Sequence, residues 1–375
     1  MVGSEADYVV ALTAVPGIGL KTLRKSISFI KHHHLSWSEL WSSTSWWAEV
    51  GLRADQQQAL KLFQQHYTPQ LYREYLASRS ITVVTETDTN YPQLLRECPD
   101  RPLVLFVKGP GLQATTVPLA VVGTRAMTAY GELATEHLVG PLSTYHTTII
   151  SGFMRGIDVK AHLVALEHKA PTLGVLGYGF DHLFPADQRS LFSEMLAAGQ
   201  TFITEYAPST APSKGGFLQR NRIIAGMSWG TLVIEAGVRS GSHVTADYAN
   251  NYGRSVFAVP GPLTNPFSEG TKALINQGAR LVTAAADIID DLADTVPAWH
   301  HYRQLPSNSS HAPIVTDNLS SLEEKIVAAL LAMPQSTDQL LQRGFDLTRL
   351  QLALTQLEVK RLIVKKRELW LIKPG

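Results

Sequence analysis

Residues 119–177 read LAVVGTRAMTAYGELATEHLVGPLSTYHTTIISGFMRGIDVKAHLVALEHKAPTLGVLG, and their rhythm decides the fold. Three short apolar runs, LAVVG, TTIISG and TLGVLG, alternate with amphipathic stretches long enough for helices. Continuous apolar strands separated by helices predict a parallel sheet covered on both faces. The rhythm continues through TFITEY, TLVIEA, SVFAVPG and RLVTAA, so the α/β sheet domain is expected over residues 81–295. Its first part, residues 80–107, reads as a bridge that includes the extended VLFVKG before Gly109. Upstream, residues 1–80 are polar and helical, with apolar positions at helical spacing in LKLF (60–63) and LYREYL (71–76). Residues 296–320 are rich in Pro, Ser, Asn and His without periodicity and read as a linker. Residues 321–375 hold amphipathic helices and a ribbon, LIVKKRELWLI, a pattern that predicts a winged helix.

A chain of 375 residues has room for two or three domains. Its 45% hydrophobic and 17% charged residues are ordinary for a soluble globular protein. Lys and Arg number 33 against 32 Asp and Glu, so any nucleic-acid site must be a local patch. Cys98 is the only cysteine, which rules out an intrachain disulfide and fits a reducing compartment. The opening MVGSEADYVV lacks the regions of a signal peptide, and no apolar run approaches the ~20 residues that span a bilayer. A cytoplasmic protein without a membrane partner is expected.

In an open parallel sheet, ligands bind beyond the carboxyl ends of the strands. After LAVV comes Gly123-Thr124-Arg125, and after TTII comes a loop running from Ser151-Gly152 to Asp158. Gly177 and Gly179 follow TLGVL, Ser240-Gly241-Ser242 follows TLVIEA and Pro260-Gly261 follows SVFAV. Glycines alone could serve tight turns, but a series that also carries arginines and serines predicts one site assembled from distant segments. Lys214, Phe217, Arg220, Asn221 and Arg222 precede TLVIEA, and Thr245 lies in the helix that Ser240 opens. Arginine forks onto phosphate oxygens, a phenyl ring stacks on a base for about 1–3 kcal/mol, and a helix N-terminus offers free N–H groups. Arg220 and Arg222 could instead pair with Glu205 or Glu235 and brace the core, and at least one of them is expected to do so. Near the start, Pro16-Gly17-Ile18-Gly19 with Lys21, Arg24 and Lys25 resembles a helix-hairpin-helix, although a plain helical turn fits the same residues.

Other chemistries find little support. GTRAMTAYG lacks the G-x-G-x-x-G spacing, no acid ends the second strand and there is no Walker A sequence. Asp158 and His162 lie four apart and could share a metal, but no second cluster completes a coordination shell. A hydrogen bond between the two that fixes the start of their helix is expected instead. The His32-His33-His34 run reads as a solvated turn, and no nucleophile with an adjacent base is found. No catalytic, metal or cofactor residue is therefore assigned.

GTRAMTAYG, SGFMRGIDVKAH, LGVLGYGFDHLFP, FLQRNRIIAGMS, VIEAGVRSGSHVTADYA and VFAVPG, in that order and spacing, resemble the DNA-processing protein A (DprA/Smf) family over about residues 90–293. The resemblance implies an extended Rossmann-like domain flanked by an N-terminal helical unit (SAM or helix-hairpin-helix-like) and a C-terminal winged helix. It also implies a non-enzymatic homodimer that binds and protects single-stranded DNA and loads RecA recombinase during natural transformation. Single-strand-binding protein is a further candidate partner. The family's DNA-contacting positions fall on Arg125, Lys214, Phe217, the Arg220-Asn221-Arg222 triplet and Ser240-Gly241-Ser242. Leu218-Gln219 stands where the family usually has a proline after the phenylalanine.

The alternative is a nucleotide-processing enzyme like the LOG phosphoribohydrolases. Their P-G-G-x-G-T-x-x-E signature survives here only as Gly230-Thr231 with a displaced Glu235. An open sheet must protect its edge, and the family's dimerisation points to the last helix, AADIIDDLAD, with Ile289 and Leu292 as the contact. In the last unit, Leu347, Leu350, Leu354 and Leu357 form an apolar face and the positive charge gathers at Lys365, Lys366 and Arg367. A partner-binding or regulatory role is expected there.

Overall fold

The computed structural model describes residues 4–111, 116–304, 319–332, 335–360, 362–366 and 369–372. Residues 5–78 form α1 (Glu5–Thr13), α2 (Leu20–His33), α3 (Trp37–Ser42), α4 (Trp46–Val50), α5 (Ala54–His66) and α6 (Pro69–Ser78). Starts are marked in the sequence: Ser36 and Glu39 make a capping box for α3, and Pro69 opens α6 behind the Thr68 cap. These helices pack around Trp46, whose indole N–H donates to Leu40 O at 2.7 Å. Pro16–Gly19 joins α1 to α2, with Gly17 at φ +83° and its carbonyl accepting from Gln56 Nε2 at 2.6 Å.

The next segment carries β1 (Thr82–Thr85), α7 (Gln93–Arg96), β2 (Val104–Lys108), β3 (Val117–Val122), α8 (Ala129–Leu142), β4 (Thr147–Ser151), α9 (Ile157–Glu167), β5 (Thr172–Leu176) and α10 (Arg189–Ala197). It continues with β6 (Thr201–Thr204), α11 (Lys214–Gly226), β7 (Gly230–Val233), α12 (Gly241–Asn251), β8 (Ser255–Ala258), α13 (Glu269–Asn276), β9 (Arg280–Leu281) and α14 (Ala285–Leu292). The sheet runs β1-β2-β6-β5-β4-β3-β7-β8-β9. β3 to β9 pair in parallel, whereas β2 joins β6 antiparallel (Phe106 opposite Thr204) and β1 joins β2 antiparallel. The bridge over 80–107 is thus part of the sheet. Its VLFVK run is buried on both faces and covers the β6 edge that a purely parallel unit would leave unpaired.

Apolar cores fill both faces of the sheet, as continuous hydrophobic strands require. One holds Val84, Ile150, Val175 and Ile203 with Ile223 and Ile224 of α11. The other holds Leu119, Val121 and Ile149 with α8, α9 and α14. Ile289 and Leu292, expected at an interface between copies, are only 3% and 2% exposed and lie in this second core. The apolar stripe of α14 is spent inside the chain, which accounts for its pattern without a partner. The expected linker also begins later than residue 296. Pro297–Gln304 forms a 3-10 turn, and fully buried Trp299 donates from its ring to Tyr145 O at 2.9 Å. The linker residues 305–318 lie outside the described residues.

The last unit contains α15 (Ser321–Ala332), β10 (Gln335–Ser336), α16 (Thr337–Gln342), α17 (Leu347–Val359), β11 (Ile363–Lys366) and β12 (Leu369–Ile372), its strands ordered β10-β12-β11. Leu350, Leu354 and Leu357 are buried with Ile326, Leu340 and Trp370. Leu347, grouped with them from spacing, is instead 50% exposed, because it occupies the first turn beyond the core. Arg361 and Arg367 lie outside the described residues.

Ile289→Glu with Leu292→Glu would therefore put two carboxylates into a packed core. The double variant should lose roughly 3 kcal/mol or more of stability, read as a fall in the urea midpoint. A variant that stays as stable as the parent would place these side chains at a surface and contradict the packing.

Candidate nucleic-acid interface

From β3 the chain winds outward through β4 and β5, then returns to lay β7 on the other side of β3. That reversal parts the loops after β3 and β7, and such a switch point is where open α/β sheets bind ligands. A cleft of about 370 Å³ lies there. Gly123, Thr124 and Arg125 form one wall, Phe217, Leu218, Arg220 and Asn221 of α11 a second, and Gly237 to Ser242 with Thr245 a third. Met154 and Asp158 reach it from the loop after β4 and the first turn of α9.

Local contacts fix these walls. Thr124 N donates to Glu235 O at 2.7 Å, locking the β3 loop to the β7 loop. Ser213 caps α11 by accepting from Gly216 N at 3.0 Å. α11 comes close to the sheet because residue 177 is glycine: a Cβ there would stand 3.0 Å from Phe217 Cα. Phe217 is half-buried against Phe184 and Tyr178, with ring centroids 5.5 and 6.1 Å away. The exposed Arg125 guanidinium sits 5.6 Å from the Phe217 ring centroid, within cation–π range. Ser240 opens α12 and caps it by accepting from Ser242 N at 3.4 Å; the first turn carries no acid, so the positive helix end faces the cleft.

Arg220 and Arg222 take another role. Arg220 is 3% exposed, and it donates to Gly152 O at 2.6 Å, to Val175 O and to Asn221 Oδ1 at 3.3 Å. It ties together the ends of β4 and β5 beneath the cleft, and burial pulls its pKa down. Arg222, also 3% exposed, is paired with Glu205 and does not line the cleft. Burial pushes the Glu205 carboxyl up while Arg222 opposes the shift. Asn221 donates to Gly241 O at 3.1 Å and so holds α11 to α12.

Ser151 and Gly152 lie under the wall rather than in it. Ser151 Oγ donates to Val121 O at 2.6 Å. A Cβ on Gly152 would stand 2.7 Å from both Arg220 Nη2 and Asp158 Oδ2. Lys214 is exposed at the first position of α11, one turn before Phe217, and does not line the cleft.

The expected bond between Asp158 and His162 is replaced by two separate ones. His162 is fully buried and shares a 2.6 Å hydrogen bond with Thr172 Oγ1, and burial drives its pKa to about 3. Asp158 turns back to accept from Met154 N at 3.4 Å, and burial lifts its pKa to about 6 against the pull of Arg220. No group of three His, Cys, Asp or Glu residues that could hold a metal occurs among the described residues. Glu235 accepts from Thr128 N at 3.0 Å, Thr128 Oγ1 at 2.6 Å and Asn265 Nδ2 at 2.9 Å, so it anchors three loops.

Sequence reasoning passed over Arg239 and Phe267, which also line the cleft. Arg239 directly precedes Ser240-Gly241-Ser242, and a cation beside a helix N-terminus was the available signal. In the N-terminal hairpin, Arg24 donates to Arg101 O and Lys25 to Val50 O, each at 3.2 Å, which leaves Lys21 exposed.

Comparison with known proteins identifies the family. A family model described as DNA recombination-mediator protein A matches residues 82–293. The DNA processing protein DprA of Bacillus subtilis is 37% identical over 239 residues, covering 63% of this chain and 80% of that protein. Protein Smf of Escherichia coli is 41% identical over 223 residues, covering 60% and 59% respectively. The solved structure of DNA processing protein A from Streptococcus pneumoniae superposes with a TM-score of 0.65 at 29% identity, over 78% of this chain and 99% of that one. That from Helicobacter pylori, described for its single-stranded DNA binding mode, gives 0.50 at 26% identity over 57% and 96%. With its sheet domain matched from end to end, the chain belongs to the DNA recombination-mediator protein A (DprA/Smf) family.

Proposed function

We propose that this protein binds single-stranded DNA in the cleft between the β3 and β7 loops and passes the strand to a RecA-type recombinase. One observation carries the reading. Arg125, Arg239 and Lys214 are exposed and, among the described residues, have no carboxylate partner, while the buried Arg222 is neutralised by Glu205. Unpaired cations grouped around a half-buried phenyl ring and a helix N-terminus supply what a sugar-phosphate chain with unstacked bases requires. The near-zero net charge confines this attraction to the cleft.

A role as binder rather than hydrolase is supported by Glu235, which is committed to Thr128 and Asn265. We place a homodimer contact at the exposed two-residue edge strand β9, where Leu281 is 48% exposed, rather than on α14. The C-terminal unit reads as a winged helix with a regulatory or partner-binding role. On α17, Leu352 and Val359 are 62% and 78% exposed, while its N-terminal half offers only Arg349 as a cation.

Arg125→Ala should weaken oligo-dT binding and flatten its salt dependence by about 0.7 units of log–log slope, the share of one single-strand phosphate contact, with stability unchanged. Arg222→Ala should do the reverse, costing roughly 3–5 kcal/mol of stability by stranding Glu205. An Arg125→Ala protein with parental affinity and slope would remove Arg125 from the site.

Phe217→Ala should harm single-strand binding more than duplex binding, because duplex bases are already stacked. Equal losses in parallel gel shifts would make Phe217 a packing residue only.

Removing residues 305–375 preserves Trp299 and should leave single-strand affinity nearly intact. A loss beyond about tenfold, ~1.4 kcal/mol, would assign DNA contact to the last unit.

A further inference from the structure

The cleft has two chemistries. Its rim is cationic and exposed, with Arg125 and Arg239. Its deeper lining is apolar at Val122, Met154 and Ile224, and it holds one acid, Asp158, only 7% exposed. An acid inside an anion-binding cleft repels phosphate, so its place needs another explanation.

Asp158 is not neutralised by an ion pair. Among the described residues no Lys or Arg nitrogen lies within ion-pair distance of it. Arg220 spends Nη1 on Gly152 O and Val175 O and Nε on Asn221 Oδ1. Its Nη2 faces the same Gly152 position as Asp158 Oδ2, so it offsets part of the charge from a distance. Its hydrogen bond to Met154 N, at 3.4 Å, uses Oδ2. The charged groups that act on it are Arg220 from α11 and Arg125 from the β3 loop, with Met154 N as its hydrogen-bond donor. Burial lifts its pKa to about 6, so the group is a carboxylate at pH 7.5. A buried carboxylate is an acceptor only, and it costs free energy unless a donor meets it.

In a single strand the donors are base N–H groups, not phosphates. We propose, on the reading that the cleft binds single-stranded DNA, that it takes one unpaired base with its edge toward Asp158 and favours guanine over thymine. Guanine presents two adjacent donors, N1–H and the N2 amino group, that match the two oxygens of a carboxylate. Thymine presents one, N3–H, flanked by two carbonyl oxygens that the carboxylate repels. Val122, Met154 and Ile224 supply apolar contact for the base. A volume of about 370 Å³ sits near the lower end of small-ligand sites, which limits the selection to a single nucleotide.

The test uses the full-length protein and dT hexamers in which one position carries dG, inosine or dT, followed by fluorescence anisotropy at pH 7.5. The dG hexamer should bind roughly tenfold tighter than all-dT, the lower part of what a bidentate base contact discriminates. Inosine lacks the N2 amino group and should forfeit most of that gain. Asp158→Asn should bring the dG-to-dT ratio close to one, and so should protonating the parent at pH 5. If the Asn variant fails to fold, the inosine comparison on the parent protein still decides. Equal affinity for dG and dT with hexamer binding intact overturns this inference alone, as does inosine binding as tightly as dG. No binding of any hexamer overturns this inference together with the proposed function.

Discussion

The buried guanidinium of Arg220 is the interaction on which the cleft depends. Gly152 O, just past the end of β4, and Val175 O, near the end of β5, both accept from Arg220. Burying a charge without a carboxylate partner is unfavourable, and charge-assisted hydrogen bonds to two carbonyls and Asn221 offset it. The result pins α11 across the carboxyl edge of the sheet. Phe217 is one turn earlier on that helix, and Asn221, one residue later, holds the start of α12 through Gly241 O. Two of the three walls of the cleft are thus positioned by one side chain and its neighbour, while the Thr124 N–Glu235 O bond holds the third.

This arrangement separates two uses of arginine that look alike in sequence. Arg220 and Arg222 are adjacent in motif, yet both are enclosed and engaged, whereas Arg125 and Arg239 stand at the mouth on loops. The enclosed pair keeps the scaffold rigid, and the exposed pair remains available for an anion. With a net charge of +1, the long-range field is weak, and salt screening confines attraction to about 10 Å around the mouth.

The sheet was legible because its strands are apolar on both faces and end in glycine or serine loops, a pattern that period and length reveal. β2 was harder to place, since VLFVK carries no sign of direction or partner, and antiparallel pairing with β6 is a tertiary fact. The α14 stripe misled for a related reason: Ile288, Ile289 and Leu292 look the same whether they cover a neighbouring subunit or Trp299 of the same chain. Trp299 lies in a stretch whose composition reads as linker, so one buried ring was hidden by its surroundings. At the site, residue types and strand ends were enough to predict that Arg125 and Ser240-Gly241-Ser242 would meet in one cleft. Spacing could not say that Arg222 would meet Glu205, or that Asp158 and His162 would bond to Met154 N and Thr172 instead of to each other.

Photo-crosslinking of a bromodeoxyuridine oligonucleotide to the full-length protein, with the adducts mapped by mass spectrometry, reads directly whether single-stranded DNA sits in the cleft. Adducts concentrated on peptides covering residues 123–127, 214–222 and 237–245, and competed by unlabelled oligo-dT, are the predicted result. Adducts confined to residues 335–372, with the cleft peptides unmodified, would place the DNA on the C-terminal unit instead of in the cleft.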